Sequence, residues 1–197
     1  PARAASSRAS RSSAPRSSST HSSGPQASGP ISSASAADSF AALGVRPELV
    51  ASLASGGINA PFPIQAATLP DSLAGKDLLG RGRTGSGKTV AFALPLVSAL
   101  AGRRSSARRP RGLVLVPTRE LANQVCDELV PLASTRRRTV AAVFGGTGYD
   151  KQRKALQRGV DILVACPGRL EDLLAQGDLR LNEVSFVVID EADRMAD

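Results

Sequence analysis

The chain has 197 residues, 42% of them hydrophobic, a formal net charge of +8 and two cysteines, which suits one globular domain with a charged extension. No apolar run reaches the length of a membrane-spanning helix, and Cys126 and Cys166 lie in apolar sequence without a C-x-x-C spacing, so a disulfide framework is excluded and a reducing compartment, the cytoplasm, is expected. The basic balance suits a polyanionic partner, and a soluble chain with a charged tail accounts for it equally well.

Residues 1–37 are Ser, Ala, Arg, Pro and Gly with almost no large apolar side chain, too little to form a core, so a disordered tail is expected. Arg3, Arg8, Arg11 and Arg16 meet no acid there and carry half of the net charge, which leaves the rest mildly basic. The tail lacks the apolar centre of a secretory signal. Its acid-poor, Arg- and Ser-rich composition overlaps that of transit peptides, which keeps an organelle as the alternative compartment. His21 has no ligand partners in sequence reach.

From Asp38 onward, short apolar runs alternate with amphipathic stretches, the pattern of an α/β domain with a parallel sheet and helices on both faces. Residues 38–66 read as a leading segment and 67–197 as the main domain. Pro47 fits a first helical turn and Gly56-Gly57 a stop, predicting a helix over Glu48 to Ser55. A strand at Asp77 to Arg81 leads into a helix at Lys88 to Leu100. Then come a strand at Gly112 to Val116, a helix at Arg119 to Leu132, a strand at Thr139 to Phe144 and a helix at Asp150 to Gln157. A strand at Asp161 to Ala165, a helix at Gly168 to Ala175 and a strand at Ser185 to Asp190 complete the series. The strands are nearly all aliphatic, as strands buried on both faces should be. The arginine clusters at Arg103 to Arg111 and Arg136-Arg137-Arg138 fall at the amino ends of strands and read as solvated connections rather than an RNA groove.

Between the first strand and its helix, Gly82-Arg83-Thr84-Gly85-Ser86-Gly87-Lys88-Thr89 fits G-x-x-x-x-G-K-[ST], a loop whose backbone N–H groups close around phosphates. About a hundred residues on, Asp190-Glu191-Ala192-Asp193 ends the last strand. One of its carboxylates can hold a metal and the next can orient water, so the two motifs together read as an ATP site. The other carboxyl ends supply Pro117-Thr118-Arg119-Glu120, Gly145-Gly146 and Cys166-Pro167-Gly168-Arg169. Loop and helix starts of this kind offer N–H groups and guanidinium to anions and suit a nucleic-acid backbone.

In this order the motifs resemble the first RecA-like domain of a DEAD-box RNA helicase. The likeness extends upstream to Gly57-Ile58-Asn59-Ala60-Pro61-Phe62-Pro63-Ile64-Gln65, similar to the family's Q motif, with the isolated aromatic Phe40 ahead of it. The resemblance implies that Gln65 hydrogen-bonds the adenine edge, with Phe40 and Ile58 also on the ATP side. It implies that Gly82, Arg83, Thr84, Gly85, Ser86 and Gly87 wrap the phosphates, Lys88 binds them, and Thr89 and Asp190 hold Mg²⁺. Glu191 would orient or deprotonate the attacking water, and Asp193 would couple to motifs further on. Thr118, Arg119, Gly145, Gly146, Gly168 and Arg169 would contact RNA phosphates. Gly82 stands where the family usually has Ala, Ile58 where an aromatic often lies, and Cys166 where Thr is common.

In the family a Ser-Ala-Thr strand and a second RecA-like domain follow, so the chain reads as an N-terminal fragment that needs that domain for activity. Two other readings remain: a DNA-directed superfamily 2 helicase, against which the segment from Phe40 to Gln65 argues, and a non-catalytic RNA-binding or annealing module with a vestigial ATP site, against which intact Lys88, Asp190 and Glu191 argue.

Overall fold

The computed structural model describes residues 39–100 and 102–195; the tail and His21 lie outside them. Four parallel strands, β1 (Gly112–Leu115), β2 (Val140–Val143), β3 (Ile162–Ala165) and β4 (Phe186–Ile189), pair in the order β2-β3-β1-β4. Each strand enters from a helix on a sheet face, as parallel pairing requires. Side chains alternate between two cores. Val114, Ile162 and Val164 face helices α1 (Pro47–Ser55), α2 (Pro63–Leu73), α3 (Lys88–Ala99) and α4 (Arg119–Thr135), while Leu113, Leu163 and Ala165 face α5 (Tyr149–Arg158) and α6 (Pro167–Ala175). This period-two division is the physical reason that the strand sequences are continuously apolar.

Three expectations change. Helix α2 was not foreseen, although Pro63 suits a first helical position and the Gln65 side chain accepts from Phe62 N–H at 2.9 Å as half of a capping box. α4 runs through Pro131 to Thr135, three residues beyond Leu132. The expected strand at Asp77 to Arg81 is irregular backbone, with Leu79 fully exposed. A strand exists only through a neighbour's N–H and C=O groups, and among the described residues this segment has no strand beside it.

The same open space leaves β4 different from β1 and β3. Phe186 and Val188 pack on the larger core, but Val187 and Ile189 on the opposite face are 53% and 57% exposed, so β4 is not buried on both faces. A groove of about 740 Å³ separates β4 from Asp77 to Gly80, floored by Phe92 and Pro95 of α3.

The carboxyl ends of the strands are held level by Val116 N–H to Ala165, Cys166 N–H to Val143 and Asp190 N–H to Leu115 carbonyls. All loops that follow them therefore meet on one rim. At the amino ends, Asp161 locks the connections together, accepting from Ser105 N–H at 2.8 Å and from Thr139 N–H at 3.0 Å. Burial opposes ionisation of Asp161, but these bonds and the Thr139 hydroxyl outweigh it and hold its carboxyl below the usual range.

Candidate active site

The phosphate-type loop precedes α3 with Gly85 and Gly87 at φ of 79° and 83°, conformations that glycine adopts without steric cost. Gly87 is also required by space, since a Cβ there would come within 2.4 Å of Gln65 Nε2 and 2.7 Å of the Phe62 ring. A Cβ at Gly82 would lie 2.7 Å from Ser86 Oγ, so glycine at this departure from the family pattern leaves the Ser86 hydroxyl its position. That hydroxyl is buried without a hydrogen-bond partner. Lys88 Nζ donates to the carbonyls of Gly82 at 2.6 Å and Arg83 at 3.1 Å, folded back across the loop it would serve.

A cleft beside this loop is lined by Ile58, Gln65, Thr84, Gly85, Lys88, Thr89, Thr118, Asp190, Glu191 and Arg194, which brings most of the expected residues together. Burial pushes the Asp190 carboxyl above the ordinary carboxylate range; the Glu191 N–H bond and the Lys88 charge pull it down, and the Glu191 charge adds to the rise. Glu191 has φ of 50°, and its carboxylate is ion-paired with Arg194 at 2.6 Å. Arg194, in the 3-10 turn Ala192–Met195, was not singled out from sequence; its spacing of three from Glu191 is the signal that could have found it. Asp193 in the same turn is exposed. An orphaned buried hydroxyl, an ammonium and a half-buried carboxylate whose pKa is raised fit a polyphosphate with a hard cation. No cluster of three or more candidate metal ligands occurs among the described residues.

Two of the residues expected on the ATP side are more enclosed than the sequence suggests. Phe40 is 2% exposed in the larger core and is not among the residues lining the cleft, because a large aromatic gains more from full burial than from a solvent-facing wall. Gln65 is 1% exposed with its amide engaged: Oε1 accepts from Phe62 N–H, and Nε2 donates to the Gly87 carbonyl at 2.9 Å. It ties the start of α2 to the phosphate loop.

Along the rim, Thr118 caps α4 by accepting from Leu121 N–H at 3.2 Å. Arg119 is half exposed, beside Glu120 at 3.4 Å and over Gly146. Gly145, Gly146 and Gly168 are exposed, with open space before Gly145 and Gly168. Arg169, expected to present its guanidinium to anions, is buried instead. It donates to the Thr147 carbonyl at 3.1 Å and stacks 4.0 Å over the ring of Tyr149, whose hydroxyl donates to Asp172 at 2.7 Å. These contacts bind the glycine loop after β2 to the start of α6. Burial, and then the Glu120 charge, push the half-buried Cys166 thiol up, so it stays protonated and caps nothing.

The family model for the DEAD/DEAH box helicase matches residues 62–197, from the start of α2 through the acidic motif. The chain belongs to the DEAD/DEAH box helicase family. It is 47% identical over 162 residues to the chloroplastic DEAD-box ATP-dependent RNA helicase 3A of Zea mays, covering 80% of this chain and 22% of that protein. It is 43% identical over 160 residues to the ATP-dependent RNA helicase RhlB of Actinobacillus succinogenes, covering 80% of this chain and 39% of that protein. The crystal structure of the RNA helicase Prp28 from Chaetomium thermophilum bound to ADP superposes with a TM-score of 0.74 at 36% identity, over 88% of this chain and 42% of that one. This DEAD/DEAH box domain thus spans less than half the length of each of these relatives. The four-stranded parallel sheet with its helices is the RecA-like domain of the family. Among the described residues no helix is long and apolar enough to cross a membrane.

Proposed function

We propose that this domain is the nucleotide-binding part of an ATP-dependent RNA helicase that separates or remodels short RNA duplexes once a second RecA-like domain completes it. The observation that carries the reading is the rim itself. The phosphate loop, the Asp190-Glu191 pair and the exposed loops at Arg119, Gly145-Gly146 and Gly168 all lie at the carboxyl end of one sheet, where ligands of open α/β folds bind. The relatives' names as ATP-dependent RNA helicases and the ADP on Prp28 support it.

ATP with Mg²⁺, when bound, supplies the free energy of phosphoryl transfer. Gly82 to Gly87 and Lys88 take the phosphates, Lys88 Nζ leaving the Gly82 and Arg83 carbonyls to do so. Thr89 and Asp190 would hold the cation. Glu191, released from Arg194, orients the attacking water and takes its proton at the carboxylate. Asp193, exposed beside it, couples the site to later motifs. Thr118, Arg119, Gly145, Gly146 and Gly168 meet RNA phosphates, and Arg169 fixes the loop that presents two of them. Displacement of the shorter strand from an RNA duplex by the completed protein with ATP, and none without it, is the result that supports this function; displacement equally fast without nucleotide refutes it.

Gln65 is assigned adenine selectivity through the amide groups left over from its two bonds, since it can still donate one hydrogen and accept one. Gln65→Ala in the completed protein should cost roughly 1 to 3 kcal/mol of ATP binding and narrow the preference over GTP. Competition assays read this, and an equal loss for ATP and GTP would leave Gln65 as a loop tie only.

Exposed and buried arginines separate on salt. Arg119→Ala should weaken single-stranded RNA binding alike for all sequences and flatten the log-log salt dependence by about 0.7, the share of one phosphate contact. Arg169→Ala should weaken binding with a smaller change of slope, because the loss is positional. A loss confined to one RNA sequence would point to base reading instead.

A further inference from the structure

The end of the sheet opposite the nucleotide cleft carries the larger charge. Arg103 to Arg111 hold five arginines and Arg136-Arg137-Arg138 three more, and the structure folds both connections onto the amino ends of β1, β2 and β3. Four carboxylates answer these eight: Glu48 pairs with Arg136, Asp161 with Arg138, Glu183 with both Arg103 and Arg109, and Asp178 reaches Arg108 at 3.9 Å while pairing more closely with Arg153. The surplus of four equals the whole net charge of residues 38–197, so the rest of the domain is close to neutral.

This charge is held on a rigid frame. Arg138 donates to the Gly102 and Arg103 carbonyls at 2.7 and 2.9 Å, Arg111 donates to the Arg103 carbonyl at 2.8 Å, and Asp161 grips both connections. Arg104 and Arg137 are left exposed with no carboxylate partner among the described residues. They are also adjacent, since Arg104 Nη2 donates to the Arg137 carbonyl at 3.1 Å. Three non-glycine residues among those described have positive φ: one is Glu191 and the other two are Arg108 and Arg137, both on this face. At Arg137 this left-handed conformation closes the end of α4, with Arg137 N–H bonded to the Ser134 carbonyl and Arg138 N–H to the Ala133 carbonyl.

We propose that this face is a second phosphate-binding surface, which takes RNA backbone that runs beyond the rim and is centred on Arg104 and Arg137. Arg104 is tethered by its bond to the Arg137 carbonyl, Arg137 stands just past the end of α4, and guanidinium matches a phosphate's paired oxygens. α4, with 17 residues, leads from Thr118 on the rim to Arg136 on this face, a distance of about 25 Å, so only RNA longer than the rim can occupy both. The proposal rests on the reading of the domain as an RNA binder. It adds contacts that this reading does not need.

The test is the double variant Arg104→Gln with Arg137→Asn in the completed protein, Asn being chosen because it tolerates positive φ. Binding is measured by anisotropy against RNA of about 6 and about 40 nucleotides over a range of salt, the shorter being of single-module size. The expected result is several-fold weaker binding of the longer RNA, with its log-log salt slope flattened by about 1.4, two single-strand contacts. The shorter RNA and ATP should bind as before, and Arg104→Lys with Arg137→Lys should restore most of the loss. Unchanged affinity and slope for the longer RNA overturn the proposal, and that is also the outcome if the face serves an acidic protein. Patch-dependent binding of the longer RNA without any binding of the shorter would sustain the second surface and refute the rim. Loss of both RNAs together in the double variant would mean a general electrostatic or folding effect and would also overturn it.

Discussion

Glu191→Gln in the completed protein should keep ATP and RNA bound while turnover falls about 10²- to 10⁴-fold, the range for a positioned group that handles a proton in the reaction. The substitution preserves size and still accepts from Arg194, so the 3-10 turn from Ala192 keeps its shape. Lys88→Ala should fail differently. It removes the ammonium that spans the Gly82 and Arg83 carbonyls and whose charge stabilises the Asp190 carboxylate, and nucleotide affinity itself should fall by about 10- to 100-fold, the worth of a charge-assisted hydrogen bond. Nucleotide titration and single-turnover hydrolysis on both variants distinguish the roles. Turnover by Glu191→Gln at the unsubstituted rate would show that Glu191 does not handle the water.

The second large effect concerns residues 1–197 on their own. Val187 and Ile189 stand more than half exposed on β4, Leu78 and Leu79 are exposed across the groove, and the outer edge of β4 offers unpaired N–H and C=O groups. The groove is wide enough for water to satisfy those groups, so the larger liability is apolar surface beside an open strand edge, the arrangement through which chains associate. Residues 1–197 alone should bind a hydrophobic dye, self-associate, bind ATP weakly and show no RNA-stimulated hydrolysis. Val187→Lys with Ile189→Lys should reduce dye binding and raise the monomer fraction, because both side chains point away from the larger core. In the completed protein, if that face is covered, the same pair should instead cost about 1.5 to 3 kcal/mol for each buried side chain lost. A cooperative urea transition with low dye binding by residues 1–197 would contradict the first half of this account.

Which parts of the molecule the sequence reveals follows from how local each signal is. β1, β3, α3, α5 and α6 lie within a residue or two of their expected bounds, because a continuous aliphatic run and its capping residues are both local, whereas α4 overruns its expected end by three. The segment Asp77 to Arg81 has only Leu78 and Leu79 as its aliphatic residues and is no strand, since pairing also depends on a neighbour that sequence pattern does not supply. Helix α2 hid behind Pro63 and Pro70, residues that usually interrupt helices; here Pro63 opens one and Pro70 sits inside it. The spacing of glycines in residues 82–89 foretells positions where only glycine fits, and Gly85 and Gly87 have the positive φ that such a turn requires. The burial of Arg169 has no such signal, because it depends on Thr147, Tyr149 and Asp172, which lie on two different helices and a loop brought together only by the pairing of β2 with β3. Phe40 likewise shows its core position only once α1 and α4 are packed around it.

The account as a whole depends on a single rim that binds nucleotide and RNA together. ATP hydrolysis by the completed protein, measured with and without single-stranded RNA, tests that most directly. A steady rate that rises several-fold on adding RNA, and loses that rise when Arg119 is replaced by Ala, is the predicted result. Hydrolysis that proceeds at one rate regardless of RNA would contradict it.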